Sequence, residues 1–137
     1  MYTQAYELIR EILDDEALND FVFDETGKHL AVIDAGAQVT IPAVKITFTG
    51  GEISCSDNVQ QLARYSVEFA LPFWGADALE QCHKFLDVAV RAFFDHEQRE
   101  IPGRINRVIR ISPSITEIDE ESEVWTVALD VAVSIFI

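Results

Sequence analysis

Only two cysteines, Cys55 and Cys82, occur in 137 residues. Two thiols make no disulfide framework, and both are expected to be reduced. Basic residues are scarce as well: 10 Lys and Arg stand against 24 Asp and Glu, a formal net charge of −14. A free-standing binder of nucleic acid or of an anionic membrane carries the opposite sign. Such a charge suits a surface that DNA must slide past without sticking, and it equally suits an acidic protein kept soluble by self-repulsion. No apolar run reaches the roughly 18 residues of a membrane helix, because Asp130 interrupts the most apolar stretch. The start, Met1-Tyr2-Thr3-Gln4, has no basic segment leading into an apolar one. No secretory signal is therefore expected, and the cytoplasm is the expected compartment. There is no repeat, low-complexity tract or linker, so residues 1–137 are expected to form one domain.

Motifs for chemistry are missing too. His29, His83, His96 and the two cysteines are the metal-ligand candidates. They form no Cys-x-x-Cys, His-Glu-x-x-His or Asp-x-Asp-x-Asp-Gly pattern. Cys82 and His83 are adjacent and point about 100° apart on a helix. No serine sits in a nucleophile elbow, and Gly27 and Gly50-Gly51 lack a phosphate-loop context. The acidic clusters Asp14-Asp15-Glu16, Asp24-Glu25 and Glu117 to Glu123 lie in polar stretches. Nothing apolar there would raise a carboxyl pKa. No metal, cofactor or catalytic residue is expected. Two carboxylates differ, Glu68 and Asp130, because each falls inside a strand on its less apolar face. They support an alternative reading as the base of a small α+β cup enzyme or ligand binder, with Trp74, Phe93 and Phe94 lining the cup.

What is present is a good deal of apolar surface, 49% of the chain, enough for a core. Ala5, Leu8, Ile9, Ile12 and Leu13 recur at helical spacing and predict a first helix over 3–18, capped by Thr3. Phe21-Val22-Phe23 and Leu30 to Ile33 flank Asp24-Glu25-Thr26-Gly27 and predict a hairpin. Alternation predicts strands over 43–49, closed by Gly50-Gly51, and over 64–71, closed by Pro72. The strongest helix is expected over 76–98, with the stripe Leu79, Cys82, Leu86, Ala89, Val90 and Phe93. A strand over 104–111 is limited by Pro113, and an acidic turn follows. The sum is an α+β fold: one mostly antiparallel sheet with two helices packed on one face.

The last fourteen residues, Val124 to Ile137, alternate throughout. Trp125, Val127, Leu129, Val131, Val133, Ile135 and Ile137 form the apolar set. Fully extended, they would span about 45 Å, against about 17–20 Å for an ordinary strand. A lone small domain is not expected to cover such a strand, so a second copy or a partner is expected on it. Arg99, Arg104, Arg107 and Arg110 hold four of the ten basic residues within twelve positions. They could pair with the Glu117–Glu123 cluster of the same chain or with acidic loops of a neighbour.

The helix containing Tyr6-Glu7-Leu8-Ile9, the strand Arg64-Tyr65-Ser66-Val67-Glu68-Phe69, the helix from Ala76 and the closing pair of strands together resemble the tail terminator proteins of long-tailed bacteriophages. That family includes prophage minor tail and tail completion proteins. The resemblance spans nearly the whole chain as a pattern, without a short diagnostic motif. It implies a non-enzymatic subunit of a homo-oligomeric ring, six-membered, that caps the tail tube and meets the head. Its partners would be further copies of itself, the tail tube protein and a head-completion protein, with DNA only as passing cargo and no membrane. It would be made in the bacterial cytoplasm and end in the virion tail. Gly50 to Gln61 is the expected loop for ring contacts. Arg104, Arg107, Arg110, Trp125, Ile135, Phe136 and Ile137 are the expected subunit contacts.

Overall fold

The computed structural model describes residues 1–33, 40–55, 61–99 and 106–135. Three helices and five strands follow the order α1 (Tyr2–Leu13), α2 (Glu16–Thr26), β1 (Ala31–Val32), β2 (Ala43–Glu52), β3 (Gln61–Leu71), α3 (Ala78–Gln98), β4 (Arg107–Asp119), β5 (Val124–Ile135). The fold is α+β, as expected, but the sheet is mixed and the helices among the described residues number three rather than two. β1 runs parallel to β2, and the β2–β3, β3–β5 and β5–β4 ladders are antiparallel.

The extra helix arises at Asp14-Asp15-Glu16. Asp14 is the C-cap of one helix and Asp15 the N-cap of the next: the Asp15 side chain accepts the Leu18 N–H at 2.9 Å. Asn19 Nδ2 then donates to the carbonyls of Leu13 and Asp15, at 3.1 and 2.8 Å, and ties the two helices at the corner. Phe21-Val22-Phe23 is therefore helical and the expected hairpin is absent. Leu18 and Val22, four apart, face the core, and Phe21 lies against Phe85 with ring centroids 6.4 Å apart. Gly27 closes α2 in the left-handed conformation, φ 74°, its N–H donating to the Phe23 carbonyl. Thr3 caps nothing; the N-cap of α1 is Met1.

The strand order is β1-β2-β3-β5-β4. β5 thus has β3 along one side, from Trp125 to Ile135, and β4 along the other, from Val124 to Ser134. Its apolar face lies under the helices, with Val127, Leu129, Val131, Val133 and Ile135 all 2% exposed or less. Burying five such side chains contributes on the order of 10 kcal/mol, an upper figure against an extended reference chain. The expectation that β5 needs an outside cover is overturned. The strand is the middle of a sheet rather than its edge, and its own subunit satisfies both its backbone rows and its apolar face. Phe136 and Ile137 lie outside the described residues.

On β3 the expected alternation holds: Ala63, Tyr65, Val67, Phe69 and Leu71 are buried, while Arg64 and Glu68 are exposed. β2 runs on through Gly50-Gly51, with a register shift between Phe48 and Gly50. Gly51 is needed there, because a Cβ would stand 2.9 Å from the Leu62 carbonyl oxygen and 3.0 Å from the Tyr2 hydroxyl. β4 passes Pro113 and reaches Asp119, which an edge strand tolerates. The face of α3 is turned from the expected stripe. Ala78, Cys82, Phe85, Ala89, Ala92, Phe93 and His96 are buried, and Leu79 is 48% exposed.

The central strand predicts a direct outcome. Leu129→Ala should cost about 2–5 kcal/mol, the range for emptying a packed Leu site, read from urea unfolding of the wild type and the variant.

Candidate assembly surface

α1 and α3 pack on one face of the sheet and α2 packs against α3; the other face carries the alternate residues of β2 to β5. Register fixes the order on that open face. Arg64 and Arg110 each pair with Ala132 from opposite sides, and Ser66 and Ser112 flank Asp130 one row along. Adjacent strands stand about 4.8 Å apart, which sets the two arginine backbones about 10 Å apart across Ala132. A shallow groove of about 520 Å³ opens there, lined by Leu62, Arg64, Ile109, Arg110, Asp130 and Ala132 among others. Arg64 reaches Glu52 at 3.4 Å, a pair exposed on both sides and of small energetic weight. Arg107 and Arg110 are exposed and form no ion pair among the described residues. Arg104 lies outside the described residues.

At the opposite end of β4 the hairpin into β5 turns through Glu120-Glu121-Ser122-Glu123, all exposed. Asp119 Oδ1 accepts the N–H groups of Glu121 and Ser122 at 3.1 and 3.2 Å. The Ser122 backbone, then its side chain and the Glu121 backbone hold the Asp119 carboxyl below its ordinary range. Asp119 lies nine positions beyond Arg110 on one strand, about 30 Å away. Arg107 and Arg110 therefore cannot pair with the acidic tip of their own chain.

The β4 edge carries the exposed apolar side chains Ile109 and Ile118. β4 shifts register between Val108 and Arg110, which puts Ile109 outside the alternation and at the groove. Simple period-two reading misses it for that reason. A second hollow, between α3 and β4, is lined by Leu86, Val90, Phe94 and Pro113 together with Asp87 and Arg91.

The other expected contact residues separate. Trp125 is half-buried against the core, and Ile135 is 2% exposed within it. Of the expected contact loop, residues 56–60 lie outside the described residues, Gly50 to Glu52 belong to β2 and Gln61 opens β3. Gln61 holds the loop base, accepting the Ser54 N–H at 2.6 Å and donating to its carbonyl at 3.1 Å.

Among the described residues the expected cup does not form. Glu68 and Asp130 are both exposed on the open sheet face, Phe93 is in the core, and Trp74 and Phe94 are 40% and 58% exposed. Among the described residues no three His, Cys, Asp or Glu side chains gather as a metal site. His96 is buried near the end of α3, with Glu11 3.9 Å from Nε2 and Glu97 3.7 Å from Nδ1. No described helix is long and apolar enough to cross a membrane.

No family model matches the sequence, and no curated relative matches it. Among solved structures the fold is similar to a chain in the virion of a native gene transfer agent particle. That alignment has a TM-score of 0.52 and 14% identity over 92% of this chain and 90% of that one. A second solved chain aligns over 96% of both at 20% identity, with a TM-score of 0.49 that adds nothing to the fold assignment.

The two thiols differ sharply in access. Cys55 is exposed, and Cys82 is buried with its pKa pushed up to about 11 by desolvation. Ellman's reagent at neutral pH should titrate one thiol in the native protein and two after denaturation. The sign of the alkaline effect follows from the raised native value. The thiol's contribution is intact below its unfolded pKa of about 9 and is lost as pH rises through about 11. Urea midpoints should fall across that window, and less so in Cys82→Ala relative to its own neutral value.

Proposed function

We propose that this chain is a non-enzymatic structural subunit of a phage or prophage tail, forming a homo-oligomeric ring that caps the tail tube and joins it to the head. The observation that supports the proposal is the likeness in fold, over 92% of the chain, to a chain of a gene transfer agent virion, a phage-like particle. The charge supports it: at −14, a ring of such subunits repels DNA and lets it pass rather than holding it. The proposed partners are other copies of the chain, the tube protein and a head-completion protein, with assembly in the bacterial cytoplasm and a final place in the virion.

The strand that ends the chain no longer supports assembly, since its own subunit covers it. The support now comes from the open side of the molecule: the unpaired edge of β4, the arginine groove beside it and the acidic tip beyond it. These features are solvent-exposed, and among the described residues Arg107 and Arg110 have no ion-pair partner inside the subunit.

Native mass spectrometry and negative-stain electron microscopy, at micromolar concentration with and without tail tubes, test the proposal. The expected result is a closed ring, six subunits in size, formed alone or at the tube end. A monomer that stays monomeric and leaves the tube uncapped contradicts it.

A further inference from the structure

We infer that the groove at Arg64 and Arg110 receives the acidic β4–β5 tip, residues 119–123, of a second copy of this chain, so that copies join head to tail. The inference rests on the ring reading above and names its contact. Arg64 and Arg110 line the groove with Asp130, Arg107 stands one register row away opposite Ser134, and Glu52 pairs with Arg64. The tip carries Asp119, Glu120, Glu121 and Glu123 and no basic residue. The two surfaces are opposite in sign and lie about 30 Å apart on one strand, so the complement has to come from another molecule.

The simpler contact, edge pairing of two β4 strands, is obstructed. Pro113 lacks an N–H in the middle of that edge, and the register shifts after Val108 and Ile115 twist and interrupt it. Side-by-side strands would also make a two-fold pair. A tip in a groove uses two different surfaces, a heterologous contact, and repeated heterologous contacts close into rings when the rotation allows. The tip is pre-shaped for this by the two N–H groups that Asp119 accepts. Arginine guanidinium groups suit its carboxylates, since they bind them in pairs of hydrogen bonds. The Arg64–Glu52 pair is exposed and readily exchanged for an incoming carboxylate.

Two arms test the inference. In a Cys55→Ser background, Ser112→Cys places a thiol beside the groove and Ser122→Cys one on the tip. The double variant, mildly oxidised at micromolar concentration, should give a ladder of disulfide-linked oligomers on a non-reducing gel. A mixture of the two single variants should give linked dimers, and each single variant alone almost none. In the second arm, Glu120→Arg with Glu121→Arg should weaken assembly at least tenfold at low salt. Adding Arg64→Glu with Arg110→Glu in the same chain should restore it, with circular dichroism unchanged. Rings that form without the cross-link and ignore the charge reversal overturn the inference and leave the ring proposal standing. No assembly of any form, alone or on tubes, overturns both. Loss of oligonucleotide binding on Arg reversal, with assembly intact, assigns the groove to nucleic acid and overturns it as well.

Discussion

Everything in this molecule is arranged around a strand with neighbours on both sides. β5 exchanges backbone hydrogen bonds with β3 and with β4 over its whole length, while its apolar side chains fill the space beneath α1 and α3. A backbone row left unpaired in a dry interior costs free energy, so a strand this apolar is stable only where both rows are satisfied. Placing it centrally does that and pushes β4 to the edge. That edge and the hairpin it forms with β5 carry exposed arginines at one end and exposed carboxylates at the other.

That transfer changes what an assembly could use. An apolar strand seeking a cover would attract any similar edge, with aggregation as the hazard. An edge broken by Pro113 and two register shifts, with arginines at one end and carboxylates at the other, is selective instead. Charge complementarity of this kind governs partner choice and approach more than raw affinity. Under the proposed ring assembly, the local arginine patch is what lets an acidic subunit repel DNA at large and still bind a second copy.

Much of the fold could be read from the chain. The alternation in β3 and β5 gave the correct buried faces because period two leaves little freedom once one face is dry. The helix at 78–98 was also legible, though its stripe turned because α3 meets β4, β5 and two other helices at once. The first helix misled because Asp14-Asp15-Glu16 reads as a poor helix end, whereas Asp15 is a helix start. Phe21-Val22-Phe23 looked like strand for want of that break. The last strand misled for a deeper reason. Length and greasiness say that a strand must be covered, but they do not say by what; the order β3-β5-β4 is long-range information that no local pattern contains. The candidate surface was partly legible. The arginine cluster stood out, but Ile109 and the separation of Arg110 from the acidic tip emerged only with the register.

Hydrogen exchange on the isolated subunit tests the central role of β5 most directly. At concentrations too low for association, the β5 amides from Val127 to Val133 should be the slowest to exchange, opening only with global unfolding, while the outward amides of β4 exchange quickly. Fast exchange along β5 in the free subunit, with protection appearing only on assembly, would contradict the account.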